Sequence, residues 1–256
     1  AGFRLLDSFL AMPPSLARAL LAPAYGRALG MLYSRTGLPW KVHGQVIRID
    51  PQARHLVPHD AEPALFDFLA RTIRPGDIVL DVGAFVGVYA VLAARWSGPG
   101  GRVVAFEPTP SSAALARRHL AYNGLGPDRV SIIEAAVSDR AARATFHQYD
   151  DRAMPYVNSL AAAVDTDGPG VTRQVDVVTI DDVCRELKIV PSVIRMDVQG
   201  AEMHALDGAR ARLGLGRRAR HEHFAEQVEQ PRARALRMAA VVGQHQADDE
   251  PLVVVV

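Results

Sequence analysis

The sequence is poor in cysteine and in long apolar segments, and each shortage excludes a class of protein. A single cysteine, Cys184, rules out an internal disulfide and a metal site built from clustered cysteines. We therefore expect no bound metal and a reducing, cytoplasmic location. Charge or proline breaks every apolar stretch well before the roughly 20 residues that a bilayer-spanning helix needs, so we expect no transmembrane segment.

An excess of charge of one sign is also missing. Lysine and arginine together number 29, aspartate and glutamate number 28, and the formal net charge is +1. Such a balance provides no overall field that would draw the molecule to nucleic acid, and we expect no nucleic-acid partner. Nor does the chain contain a G-x-G-x-x-G dinucleotide motif, which argues against an oxidoreductase that uses a nucleotide cofactor.

The chain divides into three parts by pattern. Residues 1–57 form an N-terminal extension, in which we expect helical pieces interrupted by Pro13-Pro14 and Pro23, followed by a hairpin around His43-Gly44. Residues 58–213 alternate short apolar strands with helices, starting with a helix that Asp60 would cap. This alternation is typical of an α/β fold with a parallel, Rossmann-like sheet covered by helices on both faces.

Residues 214–256 differ in character from the rest and form an atypical C-terminal segment. Either a divergent natural tail or a change of reading frame would produce such a shift. We expect residues 214–250 to be helical or poorly ordered. The apolar run Val253–Val256 is the candidate strand for the open edge of the sheet.

A glycine-containing loop follows the first strand of the middle part. Asp81 ends that strand, and Gly83, Ala84, Phe85 and Gly87 follow in a D-x-G-x-x-x-G spacing. Glycine lets backbone approach a ligand closely, and the next helix presents free amides to a carboxylate. An acidic residue here would repel a pyrophosphate but suits an amino group, which indicates the methionine end of S-adenosylmethionine.

Two further strand ends complete the expected cofactor site. Glu107 ends the second strand, 24 residues after Gly83, where a carboxylate can accept both hydroxyls of a ribose. Ala136 and Val137 follow the third strand, and side chains of this size leave room for an adenine ring.

Carboxylates after the fourth strand are the candidates for catalysis. Asp197 ends that strand, on the same sheet edge as Asp81 and Glu107, and Glu202 begins the next helix. A hydroxyl that accepts a methyl group benefits from a base, so Asp197 is the first candidate and Glu202 the second. A helix-capping role is the alternative for Glu202.

Taken together, these segments resemble the FkbM family of S-adenosylmethionine-dependent methyltransferases over about residues 60–210. The segments that carry the resemblance occur in order along the chain: Pro75–Ala84, Phe106–Pro108, Ala136–Asp139, Asn158–Leu160, Val178–Asp182 and Met196–Glu202. The resemblance implies a class I methyltransferase fold and O-methylation of a small molecule or sugar. It also implies that Asp81, Gly83, Gly87 and Glu107 hold the cofactor, with Asp197 and Glu202 at the reaction site.

The chain departs from the family pattern at three positions in or next to these segments. Phe85 stands where the family usually has asparagine, Arg195 where it has lysine or a similar residue, and Gln199 where it has glutamate. These departures leave open a protein that binds the cofactor without turnover. The acceptor and the oligomeric state are not encoded in any motif, because substrate pockets of such folds are built by extensions and insertions, here 1–57 and 138–192.

Overall fold

The computed structural model describes residues 16–60, 62–149, 158–159, 170–198, 200–211, 241–244 and 251–255. A 3₁₀ helix spans Pro51–Leu56. The α-helices are α1 (Leu16–Tyr33), α2 (Pro63–Thr72), α3 (Val88–Trp96), α4 (Pro110–Tyr122), α5 (Ile180–Leu187) and α6 (Glu202–Asp207). The strands are β1 (Leu38–Val42), β2 (Gln45–Ile49), β3 (Ile78–Val82), β4 (Arg102–Phe106), β5 (Val130–Ile133), β6 (Ala136–Val137), β7 (Ala142–Tyr149), β8 (Asn158–Ser159), β9 (Gly170–Val178), β10 (Val193–Met196), β11 (Val241–Gln244) and β12 (Pro251–Val255).

The largest sheet has the strand order β11-β12-β10-β3-β4-β5. Its members from β12 to β5 pair in parallel, and β11 joins antiparallel at the edge. The expected α/β fold with a parallel sheet is therefore confirmed.

Helices cover both faces of this sheet, as the apolar strand sequences predict. Along β3, Val79 packs into one core with α2 and α3, while its neighbour Leu80 packs into a second core with α5 and α6. Successive strand residues point to opposite faces, so a strand buried on both sides must be apolar throughout. The carboxyl ends of β3, β4 and β10 consequently meet at one edge of the sheet.

The N-terminal extension contains the expected hairpin. β1 pairs antiparallel with β2, and His43 and Gly44 between them have φ angles of +44° and +83°, as a two-residue turn of type I′ requires. The predicted interruption at Pro23 is wrong, because α1 continues through it. The fixed φ of proline is compatible with a helix, although an interior proline removes one backbone hydrogen bond and crowds the preceding turn. Pro13-Pro14 lies outside the described residues.

A second sheet, of order β6-β9-β7-β8, is built mainly from the insertion between β5 and β10. The pattern of the sequence predicts two strands in this insertion, over Ala144–Tyr149 and Gln174–Ile180. In the structure β7 and β9 both begin earlier than this, and β9 ends at Val178. It stops there because the Thr179 hydroxyl accepts a hydrogen bond from the amide of Asp182 and caps α5.

The C-terminal segment supplies the strand next to β10. Strand β12 pairs in parallel with β10, with Val253, Val254 and Val255 opposite Val193, Ile194 and Arg195. For these three valines the expected pairing with the open edge of the sheet is confirmed. The expectation of helix or poor order is wrong at Val241–Gln244, which form β11 against β12; the remainder of 214–250 lies outside the described residues. In so short an apolar segment, the secondary structure is set by long-range pairing with β12 and not by the local sequence.

Helix α2 begins differently from the expectation. Its N-cap residue is Glu62, not Asp60, and the Glu62 side chain makes no capping hydrogen bond. Among the described helices, none combines the length and the apolar character needed to cross a membrane.

Candidate cofactor and acceptor site

A cavity of about 360 Å³ opens at the carboxyl edge of β3, β4 and β10. Such strand ends are where doubly wound sheets bind ligands. Its walls come from the glycine loop, the segments after β4, β5 and β10, the N-terminal extension and β7. The lining residues are Val42, Leu56, Val57, Pro58, Glu62, Val82, Gly83, Ala84, Phe85, Val86, Val88, Tyr89, Phe106, Glu107, Pro108, Ala135, Ala136, Val137, Phe146, Arg195, Asp197, Val198 and Ala201.

The structure brings seven of the ten predicted site residues to this cavity. They are Gly83, Ala84, Phe85, Glu107, Ala136, Val137 and Asp197. The other three, Asp81, Gly87 and Glu202, do not belong to its lining.

The two glycines of the loop adopt conformations that favour glycine. Gly83 has a φ of +82°, and a Cβ atom there would lie 2.1 Å from the carbonyl oxygen of Asp197. Gly87 has a φ of +78°, and its Cβ would lie 2.9 Å from the Cβ of Ala116. Gly83 therefore lets the end of β3 pack directly on the backbone after β10, and Gly87 lets the start of α3 pack on α4.

Phe85 departs from the family pattern at a strained position. Its φ is +50°, in the left-handed region, where asparagine is tolerated better than a bulky side chain. The amide of Phe85 donates a hydrogen bond of 2.9 Å to Oε2 of Glu107. The loop is thus tied to the carboxylate at the end of the neighbouring strand.

Glu107 is buried and is held in place from two sides. The amide of Thr109 donates to Oε1 at 2.8 Å, and the amide of Phe85 donates to Oε2. Burial raises the pKa of Glu107 to about 7, although the hydrogen bonds from Thr109 and Phe85 oppose this shift. Each carboxylate oxygen has a second lone pair, so the side chain can still accept two hydroxyl groups.

We expect Glu107→Ala to lower the affinity for S-adenosylhomocysteine at least tenfold, because each lost charge-assisted hydrogen bond contributes roughly 1.5–3 kcal/mol. Calorimetry measures the affinity.

The affinity of the unchanged protein for S-adenosylhomocysteine should also rise between pH 6 and pH 8, as Glu107 ionises, and this pH dependence should vanish in Glu107→Ala. The control is Glu134→Ala, which removes an exposed carboxylate paired with Arg117. Equal affinity in the two variants would refute the ribose assignment.

Three charged side chains meet at the cavity wall. Arg195 and Asp197 belong to the lining, and Asp81 lies behind it. Arg195 Nη1 lies 3.1 Å from Oδ1 of Asp81 and 3.0 Å from the carbonyl oxygen of Gly83, and Nη2 lies 2.9 Å from Oδ2 of Asp197. Asp81 is 1% exposed. Among the described residues, its Oδ2 and the Nε of Arg195 have no hydrogen-bond partner.

The ion pairs keep Arg195 charged in its buried position. Burial alone would lower the pKa of its guanidinium, but the carboxylates of Asp81 and Asp197 reverse this and raise it. Arg195 and Asp81 are paired across β10 and β3, and Asp197 lies two residues further on. A charged residue inside the apolar strand sequence Val-Ile-Arg-Met is the signal that could have identified Arg195 from sequence.

We expect Arg195→Met to lower the free energy of unfolding by about 3–5 kcal/mol, because it leaves the carboxylate of Asp81 buried without a counter-charge. Urea denaturation measures this change. The control is Arg185→Met, which breaks an exposed pair with Asp182 and should cost less than about 1 kcal/mol. Similar losses for the two variants would show that the buried ion pairs do not stabilise the fold.

Tyr89 and Glu62 are lining residues that sequence reasoning missed. The guanidinium carbon of Arg195 lies 4.7 Å from the centre of the Tyr89 ring, a cation–π arrangement. The Tyr89 hydroxyl lies 3.4 Å from Oε2 of Glu62, a long hydrogen bond. No local pattern marks either residue, because the cavity is formed only when α2 and α3 pack together.

Glu202 points to backbone rather than to the cavity. Its carboxylate accepts hydrogen bonds from the amides of Val198, at 3.3 Å, and Gly200, at 2.9 Å. It therefore organises the turn between β10 and α6, at a helix start where negative charge is favourable.

Comparison with known proteins identifies a family. The methyltransferase FkbM domain matches residues 81–233. The 2-O-methyltransferase NoeI of Sinorhizobium fredii is 30% identical over 157 residues, which are 55% of this chain and 60% of that protein. The 31-O-demethyl-FK506 methyltransferase FkbM of Streptomyces tacrolimicus is 42% identical over 77 residues, or 29% of this chain and 28% of that protein.

Among solved structures, the methyltransferase FkbM from Methylobacillus flagellatus is 20% identical, with a TM-score of 0.37 over 58% of this chain and 36% of that one. The chain thus spans less than two thirds of the length of each of these proteins.

Proposed function

We propose, from the premise that this chain belongs to the FkbM family of methyltransferases, that it methylates a hydroxyl group of a small molecule or sugar. Its methyl donor is S-adenosylmethionine, the cofactor of this class of enzyme. One observation supports the proposal above the others: Glu107, the glycine loop and Asp197 line a single cavity.

The residues at the cavity fit this cofactor. Glu107 retains acceptor capacity for the ribose hydroxyls, and the small side chains of Ala135 and Ala136 leave space for the flat adenine ring. Asp81 lies behind the lining, so we propose an indirect role for it: its carboxylate holds Arg195, which in turn binds the carbonyl oxygen of Gly83 in the glycine loop. When bound, the cofactor supplies a sulfonium methyl group that is open to attack by a nucleophile.

Asp197 is the residue that we propose for contact with the acceptor hydroxyl. Its side chain is 40% exposed and lines the cavity, while Arg195 fixes one of its oxygens. The guanidinium holds the carboxylate in one orientation, which is what alignment with an attacking hydroxyl requires. We propose for Glu202 an indirect role, since its carboxylate binds the backbone of the turn after Asp197.

The names of the relatives favour a hydroxyl acceptor. NoeI is a 2-O-methyltransferase and FkbM is a 31-O-demethyl-FK506 methyltransferase, and both descriptions specify transfer to oxygen. The extension contributes Val42, Leu56 and Val57 to the cavity wall, and the insertion contributes Phe146. These apolar side chains would contact the body of the acceptor.

The experiment that tests this function combines binding with methyl transfer. S-Adenosylhomocysteine should bind in calorimetry, NAD should not, and label from methyl-tritiated S-adenosylmethionine should enter a member of a panel of phenols, sugars and polyketide alcohols. Binding without transfer to any hydroxyl, amine or carboxylate would favour a protein that has lost catalysis. Preference for NAD would overturn the proposal.

A further inference from the structure

The cavity has an acidic lining. Three of its charged side chains in the described residues are carboxylates, Glu62, Glu107 and Asp197, against one guanidinium, Arg195. Arg195 is itself bound to Asp197 and to Asp81 behind the wall. Its positive charge is therefore balanced within the protein, and the lining presents negative charge to a ligand.

The two ligands that alternate at such a site differ by one positive charge. The donor carries a sulfonium, whereas the product left after methyl transfer is a neutral thioether; the ammonium and carboxylate of the amino-acid end are common to both. Glu62 is exposed in the structure without ligand, so its Coulomb interaction with a ligand is screened by solvent and acts at short range. A negative lining therefore stabilises the donor more than the product.

Glu62 is the carboxylate of this lining that no ion pair or backbone amide holds in the described structure. Asp197 binds Arg195, and Glu107 accepts from two amides, whereas Glu62 contacts the Tyr89 hydroxyl. Although Glu62 is the N-cap residue of α2, its side chain does not bond the helix amides. Its backbone has a φ of +50°, a conformation that a residue with a side chain adopts at a cost.

Tyr89 keeps Glu62 at the cavity as an acceptor. Burial, followed by the neighbouring charge of Glu62, raises the pKa of the Tyr89 hydroxyl, so this hydroxyl remains a proton donor to the carboxylate. The face of the Tyr89 ring lies against the guanidinium of Arg195, whose Nη1 binds the carbonyl oxygen of Gly83. Glu62 is thereby linked to the glycine loop through three successive contacts, with Tyr89 and Arg195 as the two residues between them.

We propose that Glu62 makes the cavity selective for the sulfonium cation of the methyl donor over the neutral thioether product. The inference rests on the proposed function and concerns the exchange of the two ligands at that site. Loss of the positive charge on methyl transfer weakens the attraction to Glu62, so the product leaves more readily than a ligand of the same shape that keeps its charge.

The test is calorimetric binding of three probes to the full chain and to Glu62→Gln. The probes are S-adenosylmethionine, S-adenosylhomocysteine, and sinefungin, in which a carbon bearing an amine replaces the methylated sulfur. We expect Glu62→Gln to weaken the two cationic probes at least threefold and to leave S-adenosylhomocysteine within twofold. The preference for cationic probes should also shrink as salt is raised.

The control is Glu186→Gln, an exposed glutamate of α5 outside the cavity lining, which should leave all three affinities unchanged. Thermal unfolding of both variants shows whether the fold is retained. Equal weakening of all three probes, or no change in any, would overturn the role of Glu62. If the unchanged protein binds none of the probes, the proposed function itself fails, and this result is recognised without any variant.

Discussion

Gly83→Val is expected to abolish binding of S-adenosylhomocysteine. The added Cβ would lie 2.1 Å from the carbonyl oxygen of Asp197, and no rotation of a side chain can relieve a clash between two backbone segments. The φ of +82° adds a conformational cost of about 1–2 kcal/mol for a residue with a side chain. The ends of β3 and β10 must then separate, which displaces both the loop and Asp197.

Gly76→Val is the matched control for this change. Gly76 also has a positive φ, +95°, but a Cβ there would meet no atom within 4 Å. The control should therefore lose stability from the conformational cost and retain its affinity for the ligand. Calorimetry and urea denaturation on both variants separate the two effects. Normal binding by Gly83→Val would show that this glycine serves a turn and not the site.

Asp197→Asn is expected to lower the rate of methyl transfer about 10²–10⁴-fold, the usual range for loss of a general base. The amide oxygen of asparagine can still accept the hydrogen bond from Arg195 Nη2, so the shape of the site is kept while the charge is removed. Affinity for S-adenosylhomocysteine should change by less than about threefold. Single-turnover rates with a hydroxyl acceptor, measured together with calorimetry, make this distinction.

Asp182→Asn provides the comparison for Asp197→Asn. Asp182 also pairs with an arginine, Arg185, but both side chains are exposed on α5. This variant should have the rate of the unchanged protein. An unchanged rate in Asp197→Asn would exclude the role of base and leave Asp197 as a residue that positions the acceptor.

The strands of the parallel sheet could be predicted because their burial pattern is local. In β5 and β10 the apolar runs give the bounds that the structure has, and Glu107 follows β4 as expected. The prediction was wrong where a long-range contact competes with the local pattern. Val241–Gln244 becomes a strand by pairing with β12. The error at Pro23, through which α1 continues, is of another kind, because the fixed φ of proline is itself compatible with a helix.

The candidate site could be predicted in its backbone but not in all of its side chains. The glycine loop and the carboxylates after the strands are readable, since parallel strands bring their carboxyl ends to one edge. The sequence does not show which of the carboxylates line the cavity, because this depends on how the elements pack together. Glu202 binds amides two and four residues before it, while Glu62, 27 residues from Tyr89 in sequence, completes the wall.

The sequence by itself determined the class of fold, the nature of the cofactor and the position of the loop that would bind it, because short-range periodicity and spacing carry that information. Tertiary structure alone decided how the charges are arranged. Asp81 and Arg195 lie 114 residues apart, and their ion pair exists because β3 and β10 are neighbours with these two residues in register. Register between strands depends on the packing of the whole sheet, which no single segment encodes.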